Sequence, residues 1–173
     1  MKKSFVVSAF TLALLPALSF AIDGKINING AVNEGTCVYS NGLAGQTVNM
    51  PTVSAASLAT SGTMSTTTPF EIALTSCSVA QRVAVQLDGA ANGDSITGNL
   101  RNVATAGAAS NVQVGVVDRT NNSAALRLPG SSVAVTASGS GAATIPLGLR
   151  YVSTGVATGG VVTTAMDFSI IYP

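Results

Sequence analysis

The chain has 173 residues, 47% of them hydrophobic and only 9% charged, where an ordinary soluble domain carries about 25% charge. Eight Lys and Arg stand against seven Asp and Glu, a net charge of +1, and there is no histidine. That balance excludes a basic nucleic-acid groove or membrane-binding face, and the missing histidine removes the commonest acid–base residue from any catalytic inventory.

Lys2 and Lys3 open the chain. An apolar run from Phe5 to Phe20 follows, broken only by Ser, Thr and Pro, and Ser19-Phe20-Ala21 supplies small residues where a signal peptidase reads them. The pattern predicts a Sec-type signal peptide over residues 1–21, cleaved on export. The run is short for a membrane span of ~20 residues. Taking away two of the eight basic residues leaves six against seven acidic ones, a formal charge near −1. The exported part is the length of one ordinary domain.

Next comes "KINING" (25–30), which alternates apolar and polar residues and stops on a glycine. Such alternation predicts a half-buried strand. "AVNEGTCVY" (31–39) continues it up to the turn-forming "SNG". A short strand is expected at "QTVNM" (46–50), ending at Pro51. "SAASLATSG" (54–62) has room for a single helical turn. "PFEIALTSC" (69–77) alternates Phe70, Ile72 and Leu74, and "RVAVQL" (82–87) alternates Val83, Val85 and Leu87 before "DGAANGD" breaks it. Further strands are predicted at "SNVQVGVVD" (110–118), "AALRL" (124–128), "ATIPLGLRYV" (143–152) and "AMDFSIIYP" (165–173). Short strands at this spacing, with turns rich in Gly, Asn and Pro, predict an all-β sandwich. The composition is also unlike a disordered tail, which would be rich in charge and poor in β-branched residues. Small, uncharged, β-branched surfaces suit a protein that packs against copies of itself.

Cys37 and Cys77 are the only cysteines, and both lie in the exported part. In an oxidising compartment an even count of two reads as one disulfide. It closes a loop of about 41 residues, worth about 4 kcal/mol in the chain-entropy model. A metal site lacks ligands, since there is no histidine and the cysteines are far apart. No cofactor motif stands out: Gly155, Gly159 and Gly160 lack the strand-to-helix setting of a phosphate loop. "DGAANGD" lacks the spacing and closing glutamate of a calcium loop. The carboxylates are scattered, and a serine nucleophile has no histidine partner. The expectation is a protein with no catalytic residues.

Taken in order, these parts resemble the major-type pilins of chaperone–usher fimbriae. The shared parts are the signal peptide, the alternating segment with its glycine, "GTC" just after it, and "LTSC" about forty residues on. "NVQVGVVDRTNNSAALRL" and "ATIPLGLRYVSTGVATGG" resemble the family's central and late strands. Tyr172 is penultimate and Gly160 fourteenth from the end; the closing proline is a departure, since relatives often end on a polar residue.

The resemblance implies an incomplete immunoglobulin-like sandwich lacking its C-terminal strand, with a donor-strand extension at 22–33 and the pilin domain at 34–173. It implies that Ile26, Ile28 and Val32 fill the groove of a neighbouring subunit, with Gly30 where the groove is tight. Phe168, Ile170, Tyr172 and Gly160 then belong to the receiving groove or the chaperone contact. The implied partners are copies of itself, other pilins, a periplasmic chaperone and an outer-membrane usher; the implied destination is the cell-surface fimbria, with a role in adhesion. The chain is short for a tip adhesin, which points to a shaft or adaptor subunit. Alternation alone would equally make residues 26–32 the first strand of their own sandwich; the cysteine spacing and the C-terminal pattern favour donation. The alternative function is a monomeric secreted carbohydrate-binding β-sandwich, which requires exposed aromatic rings to stack on sugars.

Overall fold

The computed structural model describes residues 37–42, 45–89 and 91–173. The predicted signal peptide and the segment carrying Ile26, Ile28, Gly30 and Val32 lie outside the described residues.

Among the described residues, nine strands form two antiparallel sheets. They are β1 (Val38–Tyr39), β2 (Thr68–Thr75), β3 (Arg82–Asp88), β4 (Leu100–Arg101), β5 (Val112–Asp118), β6 (Ala124–Leu126), β7 (Ser132–Thr136), β8 (Ala143–Ser153) and β9 (Asp167–Ile171). The first sheet runs β1-β2-β8-β5-β4, with β6 also on β5; the second runs β7-β3-β9. A 3-10 turn, Ala55–Leu58, is capped by Ser54, whose Oγ accepts the Ala56 N–H at 3.3 Å.

Alternation fixes the register. Phe70, Ile72 and Leu74 of β2 stand opposite Leu147, Ile145 and Ala143 of β8, so their side chains share one face. Val114 and Val116 of β5 lie opposite Tyr151 and Leu149. From the second sheet, Val83, Val85 and Leu87 of β3 meet this face, all three fully buried. Burying such a side chain stabilises by about 1.5–3 kcal/mol, and this interleaved layer is the main core.

The expected disulfide is present: Cys37, just before β1, is bonded to Cys77, just after β2. It anchors the two-residue edge strand β1 of the first sheet. Residues 46–50 form no paired strand; only Val48 and Met50 in that stretch are apolar, and Pro51 lacks a donor. Met50 still packs against the core.

Candidate functional site: the open edge of the second sheet

Strand β9 pairs with β3 along one edge, Phe168 opposite Leu87 and Ile170 opposite Val85. Both β9 residues therefore share the core face of the second sheet. Among the described residues no strand pairs with the other edge of β9. In an antiparallel ladder alternate residues turn their N–H and C=O groups to opposite sides, so this edge presents a row of unmatched main-chain donors and acceptors.

The side chains tell the same story. Met166, Phe168, Ile170 and Tyr172 pack against the core but stay half-buried, while their partners Val85 and Leu87 are 0% exposed. An apolar row covered on one side, beside unpaired backbone, is a surface that binds another strand. The nearest element of the first sheet is β1. Its Tyr39 ring meets Phe168 edge-on, centroids 5.0 Å apart, and the Cys37 N–H donates to Tyr172 Oη at 3.1 Å. The opening thus has two lips, β9 with Phe168, Ile170 and Tyr172, and β1 with Cys37 and Tyr39.

Gly160 lies elsewhere. It precedes Val161, which forms a parallel bridge with Ala108: the Ala109 N–H donates to Val161 O at 3.0 Å and the Val161 N–H donates to Gly107 O at 2.7 Å. A Cβ at 160 would collide with the backbone of Gly107, Ala108 and Ala109, so the close approach requires glycine. Beside it is a pocket of about 240 Å³ lined by residues that include Val53, Leu58, Ala109, Tyr151 and Val162. Tyr151 and Val162 also touch the main core, so the pocket and the core are continuous. Burial raises the Tyr151 pKa above its usual value.

Two residues that matter here carry no sequence signal. The Asn102 side chain donates to Val161 O at 2.8 Å and Ala109 O at 3.0 Å, and accepts from the Thr163 N–H at 2.9 Å. Asn92 Nδ2 donates to Ala165 O at 2.9 Å. Together they hold the approach to β9. A lone asparagine in a loop is read as a turn former, and nothing in spacing marks these two.

The lip side chains Phe168, Ile170, Tyr172, Cys37 and Tyr39 are uncharged, and the described residues hold no cluster of three metal-ligating side chains. Tyr39, Tyr151 and Tyr172 are all half-buried, so none offers an exposed ring to a sugar.

The fimbrial protein family model matches residues 26–172. The chain is 38% identical to the major fimbrial subunit SMF-1 of Stenotrophomonas maltophilia (strain K279a), covering 93% of this chain and 99% of that one. It is 39% identical to the F17 fimbrial protein of Escherichia coli, covering 94% and 97%. Among solved structures, a chain of a chaperone–usher pilus superposes with a TM-score of 0.63 at 17% identity, covering 91% of this chain and 100% of that one. The P pilus rod subunit PapA gives 0.60 at 18%, covering 80% and 99%. The chain belongs to the fimbrial protein family, whose members are structural subunits of surface filaments, and its fold is an immunoglobulin-like sandwich short of one strand.

Proposed function

We propose that this fimbrial subunit polymerises by donor-strand exchange, residues 22–33 of one copy completing the next copy along the open edge of β9. The observation that carries the reading is the half-covered row Phe168, Ile170 and Tyr172 beside an edge with no described partner. Ile26, Ile28 and Val32 alternate at the period such a groove accepts. Covering them is worth about 1.5–3 kcal/mol each, and the added strand satisfies main-chain groups that are costly to leave unmatched. Gly30 fits the point where the donor passes closest.

Donor and groove are different surfaces of one molecule, so the contact is heterologous and does not close on itself; it propagates into a filament. Before assembly the same edge needs a temporary partner. A periplasmic chaperone supplies it, and an outer-membrane usher exchanges it for the incoming subunit. Residues 1–21 direct Sec export to that compartment. The subunit acts as a structural element, without catalysis, in a filament used for adhesion.

The test is an unboiled SDS gel of surface material from cells expressing the chain with its export partners, beside a strain carrying Gly30→Trp. The expected result is a ladder of multiples that collapses on heating and is lost in the variant. A lone monomer band in both strains would overturn the reading.

A further inference from the structure

An Asn–Gly step is chemically fragile, because glycine has no Cβ to shield its nitrogen from the asparagine side-chain carbonyl. Two such steps lie among the described residues, Asn41–Gly42 and Asn92–Gly93, and the fold treats them oppositely. At the second, both reacting groups are held. Asn92 is half-buried, its Nδ2 donates to Ala165 O at 2.9 Å, and its carbonyl accepts the Arg101 N–H at 2.8 Å. The Gly93 N–H, the would-be nucleophile, donates to Gly89 O, and Gly93 is bridged to Leu100.

At the first step both residues are exposed. The Asn41 amide makes one long contact, Nδ2 donating to Tyr39 Oη at 3.3 Å. Among the described residues the Gly42 N–H has no acceptor, and Gly42 sits at φ +57, in the left-handed region.

We propose that Asn41 is a site of spontaneous deamidation in the folded chain, and that the fold protects Asn92 from the same reaction. The deprotonated Gly42 nitrogen attacks Asn41 Cγ, the Cγ–Nδ2 bond breaks, and ammonia leaves with the proton. Water then opens the resulting succinimide at either carbonyl, leaving aspartate or isoaspartate. One water enters and one ammonia departs; no oxidant or cofactor takes part.

The position gives the change a consequence. Asn41 stands two residues beyond the end of β1 and donates to the Tyr39 hydroxyl, which donates in turn to Gln46 Oε1 at 3.3 Å. A carboxylate at 41 cannot donate, so it reverses that chain of bonds. It does so on the residue whose ring packs against Phe168. The inference stands whether or not the edge of β9 receives a donor strand.

The experiment ages the full disulfide-bonded chain in mildly alkaline buffer, beside a reduced sample unfolded in guanidinium. Peptide mass spectrometry follows the gain of one mass unit at each asparagine, and fragmentation keeps Asn29–Gly30 separate. Unfolded, Asn41 and Asn92 should convert at similar rates. Folded, Asn41 should keep most of its unfolded rate, while Asn92 slows by more than an order of magnitude. Equal slowing of both, or faster conversion at Asn92, overturns the proposal.

Discussion

Strands β5 and β9 both alternate apolar residues, Val112, Val114 and Val116 in one, Phe168 and Ile170 in the other. Yet six of the seven residues of β5 are buried, and none of the five in β9 is. Hydrophobicity does not separate them; closure does. One edge of β5 pairs with β8 and the other is shared by β4 and β6. On its outer face the turn at 94–98 bonds the buried Gln113 through Asp94 and Thr97, and Val117 packs beside Gly148. Strand β9 has β3 and nothing comparable opposite. The burial of a strand is set by its neighbours more than by its own residues, and in β9 one neighbour is missing from the described chain.

The largest effect should come from breaking the finished side. Ile145→Ala empties a site that is 0% exposed and should destabilise by about 2–5 kcal/mol. Ile170→Ala should cost the isolated subunit only about 1 kcal/mol, because water already reaches that side chain. Urea denaturation of both variants, with and without a synthetic peptide of residues 22–33, sharpens the contrast. The peptide should stabilise the parent chain and narrow the gap between the two variants. A gap indifferent to the peptide would place Ile170 outside the proposed contact.

A smaller effect is expected at the tether of β9. Asn102→Ala leaves the Val161 and Ala109 carbonyls and the Thr163 N–H without their side-chain partner, a loss of about 1–3 kcal/mol. Hydrogen exchange should quicken at Thr163 and along β9 while β5 stays protected. Uniform quickening across both strands would mean that Asn102 supports the whole sandwich and not the open edge.

How much of this was legible follows from the same contrast. The predicted runs at 69–77, 82–87, 110–118, 143–152 and 165–173 became β2, β3, β5, β8 and β9 because each alternates over several residues, and period 2 survives any tertiary context. "SVAVT" at 132–136 alternates too, but it was absent from the expected strands and forms β7. The two-residue β4 is too short to show a period. The outer cover of β5 was not legible at all: Val117 is 0% exposed and Gln113 8%, although the pattern assigns both to solvent. The burial of Gln113 depends on a turn that folds back from nineteen residues away, Asp94 to Gln113, and Val117 packs beside Gly148 of β8. On the site, the alternation of Phe168, Ile170 and Tyr172 was readable. Tyr39 as the facing lip was not, because meeting Phe168 is a property of how the two sheets close. Gly160 was singled out by its place in the chain, whereas its contact with residues 107–109 is a matter of backbone approach.

The smallest expected effect probes how firmly that cover is held. Asp94 Oδ1 accepts the Ile96 N–H at 2.9 Å and the Thr97 N–H at 3.0 Å, and Oδ2 accepts from Gln113 Nε2 at 2.9 Å. The Thr97 and Ile96 amides, in that order, hold its carboxyl below the usual carboxylate value. A folded pKa below the unfolded one means that the ionised form favours the fold. Its contribution is present above the unfolded pKa and is lost as pH falls through the folded value. The carboxyl is open to solvent, so screening keeps the effect small. Acidification should therefore lower the exchange protection of the Ile96 and Thr97 amides, taken against their intrinsic rates at each pH, before the sandwich itself opens, and Asp94→Asn should flatten that response. The Arg127 guanidinium also grips this turn, donating to Thr97 O at 3.1 Å and Ile96 O at 2.9 Å. If acid leaves the protection of those amides unchanged in the parent chain as well, Arg127 holds the cover, and the closure that separates β5 from β9 is independent of pH.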